Sequence, residues 1–122
     1  MPEYLLLIHQ DEYVWEHTDP DTYGRVMRGH HTFETAHANR LRGGARLRSS
    51  SAARSVRHDQ DGALVVTDGA FTESKEVLGG FYLIEAPDQA EAARIAADLP
   101  SPFGIVEVRP VRPDDDGRAD HR

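Results

Sequence analysis

Residues 4–8, 64–66 and 81–84 are apolar at consecutive positions, so any strand they form is apolar on both faces. Helical periodicity occurs in two stretches, and two helices can cover only one face of a sheet. That imbalance constrains the fold more than any other feature. At 122 residues the chain is large enough for one core and too small for two full domains. The second sheet face then finds its simplest cover on another copy of the chain, with two sheets stacked about 10 Å apart. The sequence predicts a homodimer.

The elements follow in order along the chain. Residues 4–8 form a first strand, ended by His9, Gln10, Asp11 and Glu12. Asp19 and Pro20 supply an N-cap and a proline at the first helical position, and Tyr23, Val26, Met27, His30, Phe33 and His37 recur at helical spacing to about Asn39. Gly43-Gly44 breaks that pattern, and 45–51 and 53–58 read as weakly hydrophobic strand segments. The cluster Asp59-Gln60-Asp61-Gly62 joins 55–57 to 63–67 as a β-hairpin. A loop over 70–78 leads through Gly79-Gly80 into the strand at 81–84. Asp88 caps a second helix, with Glu91 three residues on and Ala92, Ile95, Ala96 and Leu99 as its apolar stripe; Pro100 and Pro102 stop it. Alternation over 105–111 gives a final strand with one polar face, and 113–122 reads as a disordered acidic and polar tail. The predicted class is α+β, a ferredoxin-like antiparallel sheet with two helices on one face.

Composition narrows the function classes. Cysteine is absent, which removes disulfides, thiolate metal sites and cysteine nucleophiles together. The longest apolar run, residues 5–8, is far short of the roughly 20 residues of a membrane helix, and Glu3 stands where a signal peptide would carry a base. A cytoplasmic protein with no membrane partner is expected. Net charge is −7, yet six Arg and no acid lie between Arg40 and His58. This stripe lacks interleaved aromatics, so no nucleic-acid partner is expected of it.

The string Thr67-Asp68-Gly69-Ala70-Phe71-Thr72-Glu73-Ser74-Lys75-Glu76-Val77-Leu78-Gly79-Gly80-Phe81-Tyr82-Leu83-Ile84 resembles the YCII-related superfamily, in the branch named for an Asp-Gly-Pro-Phe (DGPF) motif. The resemblance extends to residues 4–12, to the helix capped at Asp88 and to 106–111. It implies a DGPF-type domain over 1–112 whose ferredoxin-like subunits pair into a dimeric α/β barrel. The superfamily is similar to small dimeric enzymes of the muconolactone-isomerase type, which implies catalysis by a histidine and an aspartate facing one cleft. Asp68 matches the motif directly, while His30, His31 and His37 compete for the histidine on the first helix. Ala70 stands in place of the motif's proline, which leaves φ unlocked after Asp68-Gly69, and His9 stands where the family usually shows tyrosine.

Among the three helix histidines, His30 falls on the apolar stripe, whereas His31 is rotated about 100° from it. A near-neutral imidazole suits acid–base chemistry, which makes His30 the inward-facing candidate beside Asp68. The competing role for Asp68 is a turn cap at a strand end, and for His30 a hydrogen-bonded core position. His30 and His37 lie roughly 10 Å apart along the helix axis, and His31 with Glu34 makes only an i, i+3 pair. No metal and no cofactor are predicted. His9, Arg109 and Lys75 are candidate substrate contacts; a solvated loop with Glu73 and Glu76 is the alternative for Lys75, and an ordinary cross-strand ion pair for Arg109, which stands beside Glu107 on its strand. Ser49-Ser50-Ser51 lacks the strand–turn–helix setting of a hydrolase nucleophile, and the Gly-Gly pairs match no phosphate loop. The expected function is acid–base chemistry by His30 and Asp68 on a small polar metabolite. The alternative is a non-catalytic dimeric module that senses a small molecule or docks on a partner through the arginine stripe.

Overall fold

The computed structural model describes residues 1–71 and 74–113; Glu73 and the expected tail beyond Pro113 lie outside them. At the centre of a four-stranded sheet lies β1 (Glu3–Asp11), antiparallel to both β5 (Glu76–Glu85) and β6 (Gly104–Pro110). The strand β2 (Leu41–Arg46) pairs with the other edge of β5, giving the order β2-β5-β1-β6. A long helix, α2 (Pro20–Ala36), connects β1 to β2, and α3 (Gln89–Ala96) connects β5 to β6. This mixed α+β arrangement is consistent with a ferredoxin-like fold.

Period-two alternation decides which side chains enter the core. Tyr4, Leu6 and Ile8 of β1 and Tyr82 and Ile84 of β5 are buried with Phe33 of α2 and Ala92, Ile95 and Ala96 of α3. Both predicted N-caps are formed: Asp19 accepts from the Thr22 amide at 2.8 Å, and Asp88 accepts from the Glu91 amide at 2.8 Å. The first predicted helix ends at Ala36, three residues before the apolar spacing runs out, because His37 takes the C-cap position and its ring bonds Asp98 at 2.8 Å.

Three local expectations are corrected. Gly43-Gly44 lies inside β2 instead of ending a pattern; a Cβ at Gly44 would come within 2.7 Å of the Phe81 carbonyl oxygen, so the close pairing with β5 requires glycine there. Residues 64–66 do not join the main sheet. They belong to β4 (Leu64–Asp68), which pairs with β3 (Arg54–His58) in a separate two-stranded hairpin inserted between β2 and β5. Asp59 closes this hairpin locally by accepting from the amides of Asp61 and Ala63, both at 2.9 Å, so the ladder forms without the core; Val56 and Leu64 stay more than half exposed. Finally, β1 runs on through His9, Gln10 and Asp11 instead of ending at them, and a short helix, α1 (Glu12–Glu16), capped by Asp11, follows.

The sheet face away from the core carries Leu5, Leu7, Phe81 and Leu83, all half-buried, with Ile105 exposed. Register sets Leu5 opposite Leu83 and Leu7 opposite Phe81. Among the described residues no helix is long and apolar enough to cross a membrane.

Candidate functional site

Two irregularities in β pairing open the sheet where α2 passes over it. Ile8 pairs with Gly80 and His9 with Leu78, which leaves Gly79 as the extra residue of a bulge in β5. Leu41 pairs with Ile84 and Gly43 with Leu83, which leaves Arg42 extra in β2, its guanidinium held by Glu85 at 2.7 Å. Between these bulges and α2 lies a cavity of about 490 Å³, within the size range of small-molecule sites.

Its polar wall comes from both layers. His30 and Glu34, one turn apart on α2, face the same way and meet Tyr82 from β5. The Tyr82 hydroxyl donates to Glu34 Oε2 at 2.8 Å and lies 3.0 Å from His30 Nδ1. A carboxylate has no proton to give, so the hydroxyl proton points at Glu34 and its oxygen accepts from Nδ1–H of His30. That order fixes the tautomer. The lone pair of His30 is on Nε2, which has no protein partner among the described residues.

Electrostatics keeps this ring neutral. Burial lowers the His30 pKa; Glu34 pulls it up and Arg46 pushes it down. Burial and the bond to Glu34 raise the Tyr82 pKa well above its ordinary range, so the phenol keeps its proton. The result is a neutral imidazole with a basic nitrogen accessible from a half-open cavity.

Aromatic and cationic residues complete the lining. Trp15 of α1 stacks on Tyr23 at a centroid distance of 5.0 Å and lies 6.2 Å from Phe103. Arg46, at the end of β2, donates to the Tyr23 hydroxyl at 3.0 Å. Met27 of α2 and Pro100 complete the apolar lining.

A family model described as the YCII-related domain matches residues 3–114. The chain belongs to the YCII-related family. A similar protein, an uncharacterised protein of Rhizobium meliloti (strain 1021), is 39% identical over 114 residues, covering 88% of this chain and 90% of the relative.

Within this YCII-related protein the residues singled out by sequence divide among separate places. His30 and His9 line the cavity described above, and His9 also bonds Glu107 at 3.0 Å. Asp68 and Lys75 line a different cavity with Asp11, Glu12 and Ser50; Asp68 lies 3.7 Å from Arg54 and Lys75 lies 3.5 Å from Asp11. His30 and Asp68 therefore do not share a cavity within one chain. His31 is exposed, and His37 ties the end of α2 to Asp98. Arg109 lies 3.7 Å from Glu107 on the open sheet face. No group of three His, Asp or Glu suited to a metal ion occurs among the described residues.

Tyr82 and Trp15 are cavity residues that the sequence does not single out, and Arg46 stands out there only as a member of the arginine stripe. A signal for one pairing is present: His30 and Glu34 stand at i, i+4, on one helix face. Tyr82 sits in an apolar run and Trp15 in a segment with no evident periodicity, and only the fold turns them toward α2.

Proposed function

We propose that this YCII-related protein is an enzyme that moves a proton on a small polar metabolite, with His30 Nε2 as the general base. The observation that carries this reading is the Glu34–Tyr82–His30 chain, which sets the imidazole neutral and in one tautomer at the edge of a cavity of about 490 Å³. Glu34 and Tyr82 are positioning residues that act through His30. Deuterium incorporation tests the reading whatever the net reaction is. Small metabolites with a C–H next to a carbonyl are incubated with the protein in D2O and followed by proton NMR. Faster exchange than in buffer, slowed about a hundredfold or more by His30→Gln, supports it. Equal exchange with wild type and variant across the panel sinks it.

The working unit is a homodimer of the dimeric α/β-barrel kind, in which a second copy covers the open sheet face. Leu5, Leu7, Phe81 and Leu83 support this reading, since they form an apolar cluster that the chain's own helices leave uncovered, bordered on β6 by Ile105, Glu107 and Arg109. In that assembly Asp68 of one subunit is free to approach a neighbour's cavity, which keeps it as a second acid–base candidate beside His30.

A further inference from the structure

The cavity holds a guanidinium that has no carboxylate partner among the described residues. Four ionisable side chains other than histidine and tyrosine bear on its chemistry: Glu34, Arg42, Glu85 and Arg46. Glu34 accepts a hydrogen bond from the Tyr82 hydroxyl at 2.8 Å, and Arg42 and Glu85 pair with one another at 2.7 Å. Arg46 bonds only the neutral hydroxyl of Tyr23 and has no carboxylate partner among the described residues. The Arg46 guanidinium, exposed at the edge of the cavity, is a ready receptor for a carboxylate, because it offers paired N–H donors matched to two oxygens.

Surrounding walls restrict what else the ligand can be. Trp15, Phe103 and Met27 present apolar surface beside Arg46. The β2 and β5 strands meet the cavity at Gly43, Gly44, Gly79 and Gly80; the Gln10 side chain packs over Gly79 and the Tyr82 ring over Gly44. The apolar part of a ligand can rest on the surfaces of Trp15, Phe103 and Met27. Resting on the acid–base reading of the same site, we propose that the cavity takes a small organic acid with an apolar body, its carboxylate on Arg46 and its proton-bearing atom at His30 Nε2. Arg46 is then the residue that determines specificity for an anion. Glu34 enforces the direction of binding, since it repels the carboxylate from the other end.

Benzoate and its neutral isostere benzamide serve as probes, and Trp15, the chain's one tryptophan, reports binding by its fluorescence. Benzoate is expected to saturate the signal at millimolar concentration or below, and benzamide to bind about tenfold or more weakly, the ratio expected for one charge-assisted contact. Arg46→Gln should erase the preference and leave the far-ultraviolet circular dichroism unchanged; Arg46→Lys should retain part of it. Equal binding of the two probes by wild type, no benzoate binding at millimolar concentration, or an undiminished preference in Arg46→Gln each overturns the proposal. These results separate from the test of the base. An anion preference without deuterium exchange removes His30 as catalyst and leaves Arg46 as receptor, whereas exchange without an anion preference does the reverse.

Discussion

The Tyr82 hydroxyl stands between His30 Nδ1 at 3.0 Å and Glu34 Oε2 at 2.8 Å, and its single proton can serve only one of them. Because that hydrogen bond goes to Glu34, the orientation of an exposed carboxylate on α2 is transmitted through a buried phenol to the tautomer of an imidazole one turn earlier. The reactive face of His30 is set by a residue it does not touch.

His30 should titrate below its ordinary value of 6.5, since burial disfavours the imidazolium. Nitrogen-15 NMR of the ring measures this directly. Glu34→Gln removes the influence that raises the pKa and should move it further down, whereas Arg46→Gln removes one that lowers it and should move it up. Shifts of the same sign in both variants would contradict the geometry.

The same shift links to stability with a definite sign. A histidine whose folded pKa is depressed binds a proton more readily when unfolded, so its contribution is complete above about 6.5 and is lost as pH falls from there through the depressed folded value. Denaturation midpoints measured from neutral to mildly acidic pH should fall in wild type, and fall less in His30→Gln.

Tyr82→Phe should cost about 0.5–1.5 kcal/mol in chemical denaturation, the typical net value of a lost hydrogen bond. Its more informative effect is on the ring. Without an oxygen to receive Nδ1–H, the nitrogen-15 shifts of His30 should move toward a mixture of tautomers, and any His30-dependent exchange should slow by about tenfold. Unchanged ring shifts would show that Tyr82 does not set the tautomer.

Phe33 is 1% exposed and packs against the rings of Tyr82 and His37, both at 4.9 Å. Phe33→Ala should therefore lose about 3–5 kcal/mol in urea unfolding, as expected for a large buried aromatic. A loss below about 1 kcal/mol would mean that the core beneath the cavity is looser than the packing shows.

The open sheet face gives a prediction about mass. Light scattering at micromolar concentration should give twice the chain mass for wild type. Leu7→Glu, placed opposite Phe81 at the middle of that face, should give a folded monomer. A wild-type monomer with cooperative unfolding removes the dimer.

Much of this molecule follows from local chemistry. Caps at Asp19 and Asp88, apolar spacing through Phe33 and alternation around Leu6 and Ile84 determine helices, strands and core, because each rests on hydrogen bonds or periodicities within a few residues. The family is legible for a similar reason, since the string from Thr67 to Ile84 is contiguous. Tertiary structure alone decided that residues 64–66 leave the sheet for a hairpin and that Trp15 and Arg46 converge on one cavity. It also gave His30 the partners Tyr82, 52 residues away, and Glu34 in place of a contact with Asp68 in the same chain. The i, i+4 spacing of His30 and Glu34 is local, but the meeting of both with Tyr82 depends on strand register and bulges, which are settled by packing over the whole sheet and which no local pattern encodes.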